Sequence, residues 1–391
     1  MVSYPKDWEE KKLGNIIDLY DNLRVPVSKD KRTHGRTPYY GANGIQDHVL
    51  GYTHYGEFVL LAEDGANSLA EYPIKYITGK AWINNHVHVV SGKSNIADTT
   101  FLSYALKKVN YENILVGGTR AKLNGKTLKN IEIVIPPFPE QQAIADALTA
   151  FDTHINNLAK LIEKKKMIRD GAVEDLVSGK RRLAGFSGKW EEVNLRDICV
   201  ENGLVRGPFG GSLKKECFVS KGYKVYEQKN AIYGDVNIGN YYIGDQKFEE
   251  LKRFELKKDD FIVSCSGTIG KIHRMPCNFE KGIINQALLK ITLDSAKCNL
   301  DFFNIYFKWQ KFQMKIIDDT QGGAIKNLVG MDKFKRTMLY IPTSLTEQQA
   351  IADILTAMDK EISDLEEEKE KYIALKAGAM DDLLTGKIRL V

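Results

Sequence analysis

Two stretches of this 391-residue chain repeat each other: EQQAIADALTAFDTHINNLAKLIEKKKMIRDGAVEDLVSGKRRL (Glu140–Leu183) and EQQAIADILTAMDKEISDLEEEKEKYIALKAGAMDDLLTGKIRL (Glu347–Leu390). They align without a gap, and 23 of their 44 positions are identical. No bias toward small residues explains this identity, so the stretches indicate an internal duplication. The chain is also too long for one ordinary domain, which favours two or three domains.

Both copies predict long helices that pack through an apolar seam. Their apolar residues recur in steps of four and three, which is the a/d pattern of a coiled coil. The seam positions are Ile144, Leu148, Phe151, Ile155, Leu158 and Ile162 in the first copy, and Ile351, Leu355, Met358, Ile362 and Leu365 in the second. Neither seam is long or purely apolar, so each needs a partner surface, and we expect that partner to be the other helix.

The ends of the predicted helices carry their own signals. Ser344 and Glu347 have the spacing of a capping box at the start of the second helix. Gly179 and Gly386 are placed as the glycines that close the helices in the left-handed conformation. A helix that fills each stretch is a rod up to about 58 Å long. Taken alone, such a pair favours a packing or dimerisation device.

A weaker repeat precedes each copy. Trp-Glu-Glu occurs at 8–10 and at 190–192, and GGTRAKL (Gly117–Leu123) resembles GGAIKNL (Gly322–Leu328). Each module then passes through a β-rich stretch that ends at a proline. The pattern predicts a globular module followed by a helix, twice over. The predicted boundaries are 1–136 for the first module, 137–184 for the first helix, 185–342 for the second module and 343–391 for the second helix.

Composition favours a cytoplasmic protein without a disulfide framework. The five cysteines form no CxxC pair, which argues against an obvious zinc site and fits a reducing compartment. No apolar run approaches the length of a membrane span, and the first residues lack the apolar core of a signal peptide.

Charge is distributed unevenly along the chain, although the net charge is only +5. The module at 1–136 carries +3 (17 basic and 14 acidic residues), and 184–342 carries +6 (25 basic and 19 acidic). The segment 343–391 carries −5 (6 basic and 11 acidic). Basic modules on a stiff spacer suit a polyanion with separated contact points, whereas an acidic helix suits a protein contact.

Polar loops supply the candidate DNA contacts, because Lys and Arg mostly meet phosphates while Asn and Gln more often meet bases. In the first module the candidates are Lys31, Arg32, Arg36, Asn43, Asn84, Asn85, Arg120 and Lys122. In the second module they are Arg206, Lys214, Lys215, Gln228, Lys229, Thr268, Lys271, Asn285 and Lys326. Each loop alone reads more simply as a solvated turn, but basic loops in both modules together favour nucleic acid.

A metal site and a catalytic site both find little support. His86 and His88 alternate on a predicted strand, yet no cysteine or third histidine joins them, so packed or hydrogen-bonded roles are favoured over metal binding. Gly270-Lys271 lacks the first glycine and the final Ser/Thr of a P-loop. The chain has no GxGxxG after a strand, no HExxH and no methyltransferase motif, so we predict no catalysis, no metal and no cofactor.

The chain resembles the specificity (S) subunit of type I restriction–modification systems over nearly its whole length. The duplicated helices with their EQQAIAD starts carry this resemblance, together with the Trp-Glu-Glu starts. Further family-like segments are YYGANG (39–44), AEDGAN (62–67), WINNHVHV (82–89), GPFGGSLKK (207–215), SCSGTIGK (264–271) and GIINQALLKI (282–291).

The resemblance implies an α+β fold, with two mixed α/β target recognition domains in a pseudo-twofold repeat, separated by two long helices packed as an antiparallel coiled coil. Each domain would read one half of a bipartite, asymmetric site in double-stranded DNA. The helices would set the spacing and dock two methyltransferase subunits, and restriction subunits would join through the complex. A coiled-coil scaffold with two protein-binding modules, and a modification enzyme that has lost its motifs, remain alternatives.

Overall fold

The computed structural model describes residues 4–115, 122–318 and 327–390. By its internal contacts the chain divides into unit 1, which is Met1–Lys160 with Glu366–Val391, and unit 2, which is Leu161–Leu365. Each unit contains one module and part of each long helix, whereas the boundaries drawn from the sequence keep each helix whole. Both modules mix helices and sheets, which confirms the predicted α+β class.

Unit 1 is built on a mixed sheet. Its strands are β1 (Glu9–Lys12), β2 (Ile17–Leu19), β3 (His34–Gly41), β4 (Gly44–Val49), β5 (His54–Ala62), β6 (Ile74–Ile83), β7 (Val87–Gly92) and β8 (Glu132–Ile135). Its helices are α1 (Leu13–Ile16), α2 (Thr99–Leu106), α3 (Tyr111–Ile114), α4 (Gly125–Asn130) and the first part of α5 (Phe138–Val177), with 3₁₀ turns at Asp21–Leu23 and Lys29–Lys31. The sheet order is β2-β7-β5-β6-β3-β4, and β1 pairs with β8. Only the β3–β6 pair in this sheet is parallel among the described strands.

Unit 2 repeats this framework with different connections. Its strands are β9 (Trp190–Asn194), β10 (Cys199–Arg206), β11 (Phe218–Val219), β12 (Tyr223–Tyr226), β13 (Tyr242–Ile243), β14 (Phe261–Ser264), β15 (Ile272–Arg274), β16 (Gly282–Ile284), β17 (Leu288–Leu293), β18 (Ile317–Asp318), β19 (Asn327–Leu328) and β20 (Met338–Pro342). Its helices are α6 (Gln228–Tyr233), α7 (Asp245–Glu250), α8 (Leu300–Lys308), α9 (Gln310–Ile316), α10 (Met331–Lys335) and the first part of α11 (Leu345–Leu383). Its 3₁₀ turns lie at Leu195–Ile198, Gly210–Leu213, Lys215–Cys217 and Lys252–Phe254. The sheets are ordered β10-β17-β14-β15 and β11-β13-β12-β16, with smaller pairs β20-β9 and β18-β19, and β12 runs parallel to β16.

The two long helices are continuous. α5 has 40 residues and α11 has 39, and both pass through an internal glycine, Gly171 or Gly378, without a break. Gly179 and Gly386 follow the helix ends with φ of 73° and 70°, which confirms the prediction of left-handed closing glycines. None of the helices in the described part of the chain is both long and apolar enough to cross a membrane.

The start of each seam packs into a module. In unit 1, Ile144 and Leu148 are fully buried in a cluster that includes Phe101 and Leu102 of α2 and Leu383 at the end of α11. In unit 2, Ile351 and Leu355 are buried in the same way. Their cluster includes Phe302 and Phe303 of α8 and, from the end of α5, Val173, Leu176 and Val177. The first turns of each helix therefore serve a module core as well as the opposite helix.

Further along the seam, the contacts of each unit show that the helices are antiparallel. In unit 1, the Lys376 Nζ lies 2.5 Å from a carboxylate oxygen of Asp152, and the rings of His154 and Tyr372 are 4.1 Å apart. Higher residue numbers on α5 therefore face lower residue numbers on α11, which is the arrangement of antiparallel helices. The remaining seam residues are buried at Leu158, Ile162 and Ile362, and half-buried at Phe151, Ile155, Met358 and Leu365.

Unit 2 gives the same direction. The Arg169 guanidinium donates to both carboxylate oxygens of Asp359 at 2.8 and 3.1 Å, and the Lys165 Nζ lies 2.7 Å from Glu361. The bidentate pair also fixes the register of the two helices in this unit, because the planar guanidinium matches the carboxylate geometry.

A buried carboxylate anchors the start of α5 in unit 1. Glu140 is 2% exposed and accepts hydrogen bonds from Arg389 at 2.6 and 2.7 Å and from the Trp8 indole at 3.3 Å. Arg389 also binds Asp7, and its hydrogen bond lowers the pKa of the Asp7 carboxyl. We call Trp8, Glu140 and Arg389 the Trp–Glu–Arg cluster of unit 1.

Unit 2 contains the same cluster, formed by Trp190, Glu347 and Arg182. Glu347 is fully buried, and it accepts hydrogen bonds from Arg182 at 2.6 and 2.8 Å and from Trp190 at 3.2 Å. Of the two hydrogen bonds in the predicted capping box, the one accepted by the Ser344 side chain is present, and the prediction of the one accepted by the Glu347 side chain is wrong. The Ser344 Oγ does accept from the Glu347 N–H at 3.4 Å, but the Glu347 carboxylate turns to Arg182.

A polar side chain one residue further on ties each helix to its module. Gln141 donates to the carbonyls of Ile96 and Pro136 and accepts from the N–H of Asp98. Gln348 makes the equivalent bonds to Lys297, Pro342 and Asn299. Asp98 and Asn299 in turn cap α2 and α8. These matching bonds show that the duplication extends from the helices into the modules.

We expect Arg182→Met to lower the free energy of unfolding by about 2 kcal/mol, because the buried Glu347 carboxylate would lose its compensating charge. Urea unfolding measures the loss, and amide hydrogen exchange of residues 345–355 locates it. Lys180→Met is the matched control, since its ion pair with Glu174 is exposed and should contribute little. Equal effects of the two variants would contradict the anchoring role of the cluster.

Candidate nucleic-acid interface

A turn at the end of the parallel strand pair presents the candidate residues of unit 1. The Asn84 N–H donates to the Tyr40 carbonyl at 3.1 Å, and its Oδ1 accepts from the His86 N–H at 2.9 Å. Asn84 is 5% exposed, so the geometry gives it a structural role in holding the turn. The next residue, Asn85, is exposed, and its side-chain amide has no hydrogen-bond partner within the described ranges.

The same turn occurs in unit 2. The Asn285 N–H donates to the Tyr226 carbonyl at 2.9 Å, and its Oδ1 accepts from the Ala287 N–H at 3.0 Å. Asn285 is half-buried and structural, whereas Gln286 is exposed. We call the residues 84–86 and 285–287 the Asn turns. The equivalence was not visible in the sequence, because only the first residue of the turn is shared.

Two other candidates of unit 1 are held by the fold. The Asn43 side chain donates to the Gly65 carbonyl and accepts from the Asn67 N–H, so it ties the YYGANG loop to the AEDGAN loop. The Arg32 guanidinium donates to the Val27 carbonyl and lies 4.0 Å from the centre of the Tyr39 ring. Both side chains therefore shape the surface rather than project freely from it.

Lys31 and Arg36 are the free cations of this set. Both are exposed, and neither forms an ion pair with any residue that the structure describes. Lys31 lies in the 3₁₀ turn just before the β3–β4 hairpin, and Arg36 lies on β3 within it. This leaves two positive charges available to a polyanion. Arg120 lies outside the described residues.

Lys122 joins a partly buried charge cluster. Its Nζ lies 3.0 Å from Glu63, whose other oxygen accepts from Arg24 at 2.6 Å. Burial alone would raise the pKa of Glu63, but the hydrogen bonds from Arg24 and Lys122 outweigh it and lower this pKa. Asp21 and His88 complete the cluster through a bond of 2.5 Å.

The carboxylates of this cluster and His88 lie close enough together to hold a metal ion. However, the His88 Nε2 is already 2.6 Å from the Leu123 carbonyl, and its Nδ1 faces Asp21. The positive charges of Arg24 and Lys122 also neutralise the carboxylates. His86 sits in the Asn turn and bonds separately to Asp64 at 2.5 Å, so the two histidines do not share a site. The arrangement favours an ion-pair network over a metal.

The glycine-rich loop of unit 2 lies against its Asn turn. A Cβ at Gly207 would come within 1.8 Å of the Asn285 carbonyl oxygen, so only glycine permits this approach. The Arg206 guanidinium lies 5.9 Å from the Phe209 ring, and this ring is 69% exposed. Arg206 Nε is shielded from water and has no partner in the described part of the chain.

The remaining candidates of unit 2 surround this loop or lie nearby. Lys214, Lys215, Thr268 and Lys271 are exposed, and none of these three lysines forms an ion pair within residues 4–115, 122–318 and 327–390. Lys229 pairs with Glu227 at 2.8 Å. The Gln228 Oε1 is shielded and lacks a partner among the described atoms. Lys326 lies outside the described residues.

Unit 1 also exposes a pair of tyrosines that are not among the residues predicted from the sequence. Tyr52 and Tyr55 are 49% and 71% exposed, and their ring centres are 6.3 Å apart. The Lys80 Nζ lies 4.9 Å from the Tyr52 ring. Strand alternation could not predict this group, since Tyr52 and Tyr55 are three residues apart whereas residues on one face of a strand are two apart.

The comparisons with known proteins agree with this architecture. The family model for the type I restriction modification DNA specificity domain matches twice, at residues 5–165 and 187–375. The chain belongs to the type I restriction–modification DNA specificity family. The two matches correspond to two target recognition domains, and membership gives the chain a non-catalytic role as a specificity subunit.

Individual relatives cover most of the chain. A Haemophilus influenzae protein assigned as a type I restriction enzyme specificity subunit is 33% identical over 362 residues, 89% of this chain and 86% of its own length. The MjaVIII specificity subunit of Methanocaldococcus jannaschii is 26% identical over 99% of this chain and 94% of its own. The crystal structure of a type I S subunit from M. genitalium has a TM-score of 0.65 at 17% identity, covering 98% of this chain and 97% of that one. This last likeness concerns the fold.

We expect Asn84→Ala to reduce the free energy of unfolding by about 1–2 kcal/mol, because the His86 N–H would lose its acceptor in a partly buried hydrogen bond. Asn85→Ala, one residue on, should leave stability nearly unchanged since its side chain is exposed and unbonded. Urea unfolding of both variants provides the comparison. A larger loss for Asn85→Ala would show that the structural and exposed positions have been assigned in the wrong order.

Proposed function

We propose that each module of this specificity subunit reads one half of a bipartite, asymmetric site in double-stranded DNA. The Asn turns carry this proposal. Their backbone bonds are the same in both units, but the exposed side chain that follows the shared asparagine differs, Asn85 in one and Gln286 in the other. A common framework that presents an exposed polar group in each module suits one half-site per module, and the different loops around the two turns suit two different half-sites. The module boundaries 1–136 and 185–342 belong to this proposal.

Phosphate contacts would come from those candidate DNA-contact residues that are exposed cations without an ion pair in the described structure. These are Lys31 and Arg36 in the first module and Lys214, Lys215 and Lys271 in the second. Lysine and arginine on the phosphates supply affinity and orientation without sequence information. Arg32 and Asn43, which the fold engages internally, would act indirectly by holding the contacting loops.

The long helices, predicted at 137–184 and 343–391, would set the distance between the half-sites and dock two methyltransferase subunits. Helices of 40 and 39 residues are stiff enough to act as spacers. Exposed apolar side chains on α5 support a protein contact: Leu161, Met167 and Ile168 are 39%, 69% and 49% exposed. Restriction subunits would join through the same complex. Methyl transfer and its cofactor would belong to the partners, since we propose no catalysis and no cofactor for this chain.

Methylome sequencing tests the main proposal. Cells that express this chain with its cognate methyltransferase should carry methyl-adenine at a two-part motif with a fixed gap. A strain without this chain should lose that motif. An unchanged methylome, with a methyltransferase proven active beside another specificity subunit, would favour the protein-binding scaffold instead.

Lys214→Ala should weaken binding of the methyltransferase complex to all DNA sequences alike and lower the salt dependence of the binding constant. The reason is that a phosphate contact releases counterions but reads no base. Binding isotherms at several salt concentrations, on specific and unrelated duplexes, measure both effects. A changed base preference with an unchanged salt slope would refute the phosphate role.

A further inference from the structure

The second residue of each Asn turn is an exposed carboxamide, and the backbone around it forms matching hydrogen bonds in the two modules. In both turns the first residue is an asparagine whose Oδ1 accepts a hydrogen bond from the backbone N–H of the third residue. The third residue is fixed by its carbonyl, which accepts from Glu63 N–H in unit 1 and from Cys265 N–H in unit 2, both at 2.9 Å. The second residue forms neither kind of bond: its side chain does not hold the turn, and its side chain faces no partner in the described residues.

The chemistry of this position is the same in both units although the residues differ. Asn85 and Gln286 are both exposed carboxamides, and neither side chain has a hydrogen-bond partner among the residues that the structure describes. A carboxamide offers one donor and one acceptor side by side, which matches the N6 amino group and N7 of adenine in the major groove. Asparagine and glutamine differ by one methylene, so they present this pair at different depths.

A neighbouring segment packs against each turn and fixes its backbone. In unit 1, Arg24 donates to the carbonyls of Val87 at 2.9 Å and Asn85 at 3.5 Å. In unit 2, Gly207 touches the turn directly, and its neighbour Arg206 stands over the exposed Phe209 ring. Each turn thus has a fixed backbone, which is what accurate base reading requires.

We propose that Asn85 and Gln286 each read an adenine, one in each half-site, and that they are equivalent specificity-determining residues of the two modules. This inference rests on the proposed function, because it presumes that the modules face the two half-sites. It assigns Gln286 a role in recognition and limits Asn84 and Asn285 to positioning.

The test is methylome sequencing of cells that express the cognate methyltransferase with Gln286→Ala or Asn85→Ala. Gln286→Ala should relax one A·T position in one half-site by about tenfold or more, because a bidentate base pair contact is lost. Asn85→Ala should relax one A·T position in the other half-site only. Each variant thereby serves as the internal control for the other, since the untouched half-site should keep its full preference.

Two further variants separate an effect on base recognition from an effect on the stability of the fold. Gln246→Ala removes an exposed carboxamide on α7 of unit 2 and should leave both half-sites unchanged. Asn285→Ala should lower the free energy of unfolding, because the Ala287 N–H loses its acceptor in the turn, whereas Gln286→Ala should leave the free energy of unfolding nearly unchanged.

The outcomes distinguish this proposal from the one beneath it. A wild-type complex without a two-part motif would overturn the proposed function and the adenine readers together. A wild-type motif that persists unchanged in both Gln286→Ala and Asn85→Ala would overturn only the adenine readers. Relaxation at a G·C position, or in both half-sites at once, would also overturn them.

Discussion

A buried carboxylate at the start of each long helix is the contact on which both units depend. Glu140 and Glu347 are almost completely inaccessible to water, and each is compensated by an arginine from beyond the end of the opposite helix. A tryptophan from the first strand region of the module completes the site. Because a buried charge without its partner is strongly unfavourable, the cluster forces three distant segments together in each unit. The antiparallel direction of the helices follows from which arginine reaches which glutamate.

Each unit combines a framework that is shared between the units with loops that differ between them. Bonds that repeat between the units, such as those of Gln141 and Gln348, fix the helices, the central strands and the Asn turns. The loops around those turns share almost nothing between the units. A rigid framework that tolerates different loops is suited to reading many DNA sequences, since a change in a loop alters a contact without disturbing the core. The exposed lysines belong to the loops, whereas the internally bonded Arg32 belongs to the framework.

The sequence was most informative where structure is set by local spacing. The four-three pattern predicted α5 and α11, and the positions of Gly179 and Gly386 predicted their closing turns, because these signals act within a few residues. The sequence could not predict the partner of the Glu347 carboxylate, because this carboxylate binds an arginine 165 positions away rather than the backbone of its own helix end. It also missed the role of Asn84, which depends on the parallel pairing of two strands far apart in the chain.

The Trp–Glu–Arg clusters have one consequence for connectivity. In unit 2, the arginine and the tryptophan come from one continuous run, Arg182 to Trp190, whereas in unit 1 the same two partners are Arg389 and Trp8. The same contacts form whether the arginine and the tryptophan are joined by a short linker, as in unit 2, or are far apart in the chain, as in unit 1. The Arg389 and Trp8 contacts in unit 1 thus form between two segments at opposite ends of the chain. The contacts of the two clusters therefore do not depend by themselves on the order of the two modules along the chain.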